Sequence, residues 1–241
     1  MLKLRSAIVL LAAIAAAALT ARLGLWQLDR AAQKTALQQA LQQQRALPPL
    51  LQAQLAREAA DVPAQLHRIV RLQGRWLAAH TVFLENRQMN GQPGFYAVTP
   101  LQLDDGSAVL VQRGWVPRDL MNRTRVVAPP PPDGVVQVAG RIAPGPARLY
   151  EFDGAASGAI RQNLEAVSFA RETGLPLRPL AVVQENDATT PANIDGLLRQ
   201  WPQPTTGVEK HYGYAFQWFA LCALIIGLYV WYQVIRPARR R

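Results

Sequence analysis

Between Glu209 and Cys222 the chain reads EKHYGYAFQWFALC, and the residues in it that could do chemistry are His211, Tyr214 and Trp218. On a helix they fall at i, i+3 and i+7, with Ala215 at i+4, so they share one face. His211 and Trp218 are then about 10 Å apart along the axis, and Ala215 between them leaves room for something flat. The helix macrodipole disfavours a protonated imidazole in the first turn, and a neutral imidazole is what a metal such as haem iron requires. Glu209 nearby acts in the opposite sense. The same residues also suit an interfacial belt in which His, Tyr and Trp sit at headgroup level. Spacing alone leaves both readings open.

A second set lies near the other end of the chain. Arg22, Trp26, Arg30 and Lys34 recur every four residues, a cationic stripe holding one indole. Such a stripe could pair with carboxylates such as haem propionates, with an arginine stacked on Trp26, or it could bind lipid headgroups.

Both sets need elements to carry them. From Tyr212 to Ile235 no residue is formally charged, and that length of helix crosses a hydrocarbon core of about 30 Å. Tyr212, Tyr214, Trp218 and Phe219 mark one end of it, and Tyr229, Trp231 and Tyr232 the other, as membrane interfaces favour. The apolar run Ser6–Ala21 reaches spanning length if it continues to Leu28 with Arg22 snorkelling. MLKLR at the start also resembles the n-region of a signal peptide. The helical pattern continues without a break into LWQLDRAAQKTALQQALQQQ, which favours a retained anchor, and partial processing stays open. Basic residues at Lys3 and Arg5 and in RPARRR place both termini in the cytoplasm by the positive-inside rule. The domain between the spans is then external, periplasmic in a bacterial inner membrane. The absence of a presequence ahead of the first span favours a bacterial chain over a mitochondrial precursor.

Charge and cysteine content exclude several classes. The net charge is +10, from 26 basic and 16 acidic residues, but seven of the basic residues flank the two apolar segments. No basic stripe with interleaved aromatics remains in the middle, so nucleic acid is not an expected partner. Cys222 is the single cysteine and lies inside the second apolar run, which rules out disulfides, paired-cysteine metal sites and covalent haem attachment.

The expected fold class is a membrane protein, with N- and C-terminal transmembrane helices enclosing a mainly antiparallel β (α+β) external domain. Residues 1–5 form a cytoplasmic N-terminus, 6–28 a transmembrane helix, and 29–62 a helical extension with a further short helix in LLQAQLAREAA. Residues 63–208 form the β-rich domain, 209–235 the second transmembrane helix, and 236–241 a basic tail. Alternating patterns predict strands over 66–77, 81–88, 94–103, 107–116, 135–143 and 179–186. GQPG and DDG supply hairpin turns. A helix over 164–174 is expected, with Asn163 as N-cap and Gly174 past its end. His67 and His80 are expected to be structural, since no metal-ligand spacing or nucleophile motif surrounds them. No enzyme is expected.

The segments LGLWQLDRAAQK, LENRQMNGQPGFYAVTPL, VLVQRGWVP and KHYGYAFQWFAL, in that order, resemble the Surfeit locus protein family of cytochrome c oxidase assembly factors. The resemblance covers nearly the whole chain; Tyr212 stands where the family usually has leucine. It implies a role in maturing the catalytic subunit of a haem-copper oxidase around insertion of haem a. It also implies haem a binding, with His211 as iron ligand, Trp218 lining the site and Tyr214 beside them. Trp26, Arg30 and Arg113 match further family positions and are candidate propionate or partner contacts. Gly114, between Arg113 and Trp115, is a candidate bulge glycine. The implied partners are the oxidase catalytic subunit, haem A synthase and membrane lipids. The alternative is a membrane-anchored scaffold that holds assembly intermediates without binding haem.

Overall fold

The computed structural model describes residues 2–119, 121–122, 126–146, 158–186, 195–201 and 207–239. The chain divides into two compact units, Met1–Ala40 with Pro204–Arg241, and Leu41–Gln203.

Helix α1 runs unbroken over Leu2–Ala46, with its residues up to Ala40 in the first unit. Its alanine, leucine and glutamine favour helix, and it stops just before Pro48-Pro49, because proline lacks an N–H and restricts the residue before it. The later helix of this unit, α4 (Val208–Val230), starts after Gly207 and continues as a π-helical turn over Trp231–Ile235. Both helices are long and apolar enough to span a membrane.

The second unit is a β-barrel with additions. In chain order it contains β1 (Leu50–Leu51), α2 (Val62–Gln65), β2 (Ile69–Trp76), β3 (Val82–Met89), β4 (Gln92–Leu103), β5 (Ala108–Pro117), β6 (Val135–Ala143), β7 (Ile160–Arg161), α3 (Ala166–Thr173) and β8 (Leu177–Gln184). Strands β2, β6, β8, β5 and β4 form a ring, closed where Gly74–Trp76 of β2 pairs with Leu101–Leu103 of β4. Five strands cannot alternate direction all the way round a closed ring, so one neighbouring pair must be parallel. That pair is β5 and β8. The long β4 serves two partners in turn: its C-terminal end closes the ring, and its N-terminal half carries β3 outside it. Val70 and Leu72, Leu101 and Leu103, Val109 and Val111, and Leu180 and Val182 alternate inward along their strands and fill the barrel. A second apolar layer, including Leu84, Tyr96, Leu110, Trp115 and Phe169, packs outside the ring under α3.

Three expectations are corrected. The short helix over 50–60 does not form. Leu50–Leu51 pairs with β2, and short 3-10 turns at Gln52–Gln54 and Ala59–Asp61 follow. Leu50, Leu55, Ala56 and Val62 are needed in the barrel core, and burying them overrides local propensity. The helical extension therefore ends at Ala46 rather than 62, and Pro63 sits in the first turn of α2 instead of terminating a helix. The N-cap of α3 is Glu165, not Asn163, whose side-chain oxygen faces Arg87 Nη2 at 3.5 Å. Gly174 does end that helix, with φ of 70°.

The turn between β4 and β5 holds a charged knot with a testable consequence. Asp105 accepts hydrogen bonds from the Ser107 hydroxyl at 2.6 Å, Arg178 Nη2 at 2.6 Å and Arg57 Nη2 at 3.0 Å. The Ser107 hydroxyl bond, then the Ser107 N–H and the two arginines, hold its carboxyl below the ordinary carboxylate range. A depressed folded-state pKa means stabilisation that is complete above the unfolded value, about 4, and lost as pH falls through the folded one. The Asp105→Asn protein should be less stable at pH 7 than wild type and lose less further stability on acidification below about pH 4. Tryptophan fluorescence during denaturant titrations across that range would measure it, and parallel pH profiles for the two proteins would refute it.

Candidate functional site

In the first unit, α1 and α4 pack as an antiparallel pair. His211 meets Gln27, Phe219 meets Gly24, and Cys222 Sγ lies 3.3 Å from the carbonyl of Ala17, so numbering rises on one helix as it falls on the other. The α1 face of this seam carries Thr20, Gly24, Gln27 and Ala31, three small residues and one amide at heptad-like spacing. Small side chains let two membrane helices approach closely. A Cβ on Gly24 would lie 2.8 Å from the Phe219 ring.

His211 sits at the end of this seam. Its Nδ1 is 2.7 Å from Gln27 Oε1. An amide oxygen only accepts, so with Gln27 Oε1 as the acceptor Nδ1 would carry the proton, and a neutral ring would keep its lone pair on Nε2. Among the described residues none hydrogen-bonds Nε2. Ala215, one turn further on, is 2 % exposed and packs into the seam. Trp218 is half-buried beside it, whereas Tyr214 turns outward at 52 % exposure. The expected single face therefore splits, with His211 and Ala215 toward α1, Trp218 at the margin and Tyr214 on the open side.

The stripe on α1 is exposed in its middle. Trp26 is 52 % exposed, and Arg30 Nη1 donates to Gln33 Oε1 at 2.9 Å. Gln27 is the site residue that sequence reasoning passed over. Its signal was its place between Gly24 and Ala31 on the small-residue face.

Arg113 is corrected. It is 1 % exposed inside the second unit, with its guanidinium 3.5 Å from Asp195 Oδ2 and 5.3 Å from the Trp76 ring centre. A side chain enclosed in this way does not reach a propionate or a partner surface. Gly114 does serve a bulge, where the pairing of β4 with β5 shifts between Ala97 and Val98. A Cβ there would lie 2.4 Å from that of Leu197. His67 takes a φ of 67° and donates its backbone N–H to Ile142. Burial, then Arg141 and Arg45, hold its pKa below the ordinary value, which suits a neutral structural imidazole. Among the described residues no cluster of three or more His, Cys, Asp or Glu could hold a metal ion.

Fold and seam together define a class: a two-span membrane protein with a β-barrel domain between its spans. The chain belongs to the SURF1 family, whose family model matches residues 14–223, from within the first span to within the second. It is 25 % identical over 216 residues to a SURF1-like protein of Rickettsia bellii, covering 88 % of this chain and 85 % of that one. A SURF1-like protein of Rickettsia conorii is 24 % identical over 216 residues, with the same shares of 88 % and 85 %. A SURF1-like protein of Dictyostelium discoideum is 42 % identical over 48 residues, 20 % of this chain and 18 % of that one.

Proposed function

We propose that this chain is an assembly factor for a haem-copper cytochrome c oxidase, one that holds haem a at the outer membrane face and assists its insertion into the catalytic subunit. The family is in general one of cytochrome oxidase assembly factors and is not a known enzyme family. The observation that carries the haem reading is the His211 imidazole, tied through Nδ1 to Gln27 with Nε2 left to ligate. This donor fits the group, since haem a when bound supplies an iron that takes a neutral imidazole nitrogen as axial ligand.

His211 would offer Nε2, and Trp218 and Tyr214 would flank the ring plane with apolar surface. Trp26 and Arg30 would face the propionates, for which a guanidinium is the natural partner. Arg113 has no part in this site. By the positive-inside rule the basic ends favour cytoplasmic termini in a bacterial inner membrane, which would put the barrel in the periplasm. There the barrel would engage the catalytic subunit and haem A synthase, while the helices contact membrane lipids.

The test is the reduced-minus-oxidised visible spectrum of the detergent-purified protein, coexpressed with the haem A biosynthetic enzymes. Wild type should carry haem a, and His211→Ala should carry at least about tenfold less, the lower end of what even an outer-shell change at a metal site costs. A folded but colourless wild type would sink the haem reading in favour of a scaffold that holds intermediates without binding haem.

A further inference from the structure

We infer that Gln27 is a positioning residue for the His211 imidazole: it fixes the Nδ1–H tautomer and aims Nε2 away from the helix seam as the ligating atom. The role in ligation rests on the haem reading above; the tautomer does not. An imidazole free in water favours the proton on Nε2, the wrong tautomer for ligation through that atom. The Gln27 amide oxygen, 2.7 Å from Nδ1, reverses the preference. Metal-binding histidines are commonly oriented in this way by an acceptor on the ring nitrogen that does not ligate, and the acceptor also raises the basicity of the one that does.

The surroundings support a fixed pair. Gly24 and Ala31, buried on either side of Gln27, and Ala215 across the seam add no bulk that would hold the helices apart. The amide and the imidazole come from segments 184 residues apart, so the bond also sets the register of α1 on α4. An imidazole left to rotate would spread Nε2 over several directions. One clamped at Nδ1 presents it in a single direction.

The tautomer can be read without any haem. The chain has three histidines, so full-length apoprotein labelled with nitrogen-15 at histidine gives few signals, and the His211→Ala protein assigns the one that matters. Wild-type His211 should show a protonated Nδ1 and a bare Nε2, and in Gln27→Leu the proton should move toward Nε2. Titration with haem a extracted from purified oxidase supplies the second arm. Gln27→Leu should bind about 10- to 100-fold more weakly than wild type. Gln27→Glu, which keeps an acceptor, should restore affinity and lower the midpoint potential of the bound haem, because a more basic imidazole favours the ferric state. That rescue separates positioning from a packing defect in Gln27→Leu. A wild-type His211 protonated on Nε2, or unaltered haem a affinity in Gln27→Leu, overturns the role of Gln27 and leaves the ligand reading intact. Equal haem a binding by wild type and His211→Ala overturns the ligand reading, and the ligation role of Gln27 with it, whatever the tautomer.

Discussion

Valine in place of Gly74 should prevent the barrel from closing and cost roughly 4 kcal/mol or more, at the severe end for a single substitution. Gly74 stands opposite Leu103 in the short pairing that joins β2 to β4. A Cβ there would lie 2.1 Å from the backbone oxygen of Gln102 and 3.1 Å from Leu101 Cγ. That oxygen belongs to the ring itself, so it cannot retreat without parting the two strands and exposing Leu72, Leu101 and Leu103 behind them. Gly106 is the control. It has a φ of 80° but nothing within 4 Å of an added Cβ, so Gly106→Ala carries only left-handed strain, about 1–2 kcal/mol. Thermal unfolding of the full chain in detergent, followed by tryptophan fluorescence, would compare them. Gly74→Val should lose its cooperative transition and Gly106→Ala should keep it at a lower temperature. Similar losses in the two would mean that the close approach of β2 to β4 is not what limits closure.

Much of the barrel was legible in the sequence because burial on one face leaves a period of two. The strand expected over 135–143 is β6 as found, and β2, β3, β4, β5 and β8 differ from expectation by a few residues at their ends. Closure itself was not legible. Nothing local in QGRW or PLQL says that Gly74 to Trp76 will meet Leu101 to Leu103, and the parallel pairing of β5 with β8 joins segments far apart in the chain. The failed helix over 50–60 has the same origin. LLQAQLAREAA has helical composition, but Leu50, Leu55 and Ala56 gain more from the barrel core than from a helix of their own. Two-residue strands such as β7 carry no periodicity to read.

The site was half legible for a related reason. A period of 3.6 residues put His211 and Ala215 on one side of α4 and marked Trp218 as a neighbour, but it could not say what that side would face. Gln27 supplies the answer, and it lies on the other helix. Arg113 shows the opposite failure. An arginine beside Gly114 and Trp115 reads as a recognition residue when its surroundings are unknown. Its carboxylate partner, Asp195, comes from a segment with no regular pattern, and only folding brings the two together.

That pairing yields the second large effect. Residues Asp195 to Trp201 run back along the end of β5, where Leu198 and Trp115 exchange backbone hydrogen bonds of 2.8 and 3.0 Å. Arg199 Nε donates to the Arg113 carbonyl at 2.7 Å, and Asp195 takes the guanidinium of Arg199 as well as that of Arg113. The two guanidinium side chains are 4 % and 1 % exposed, so one carboxylate serves two cations that water hardly reaches. Burial pushes the Arg113 pKa below its ordinary value, and Asp195 is the main group acting against that. Asp195→Ala should therefore cost about 3–5 kcal/mol, the range for leaving a buried charge without its partner. Arg113→Leu in the same chain should return part of that loss, because it removes one stranded cation and keeps apolar bulk against Trp76. Denaturant unfolding of the two single variants and the double variant would give the coupling directly. Additive losses would show that Arg113 and Asp195 are independent neighbours. A positive recovery would show that the return segment is latched to β5 by a shared carboxylate, the reason an arginine stands at a position where the strand alone would favour an apolar residue.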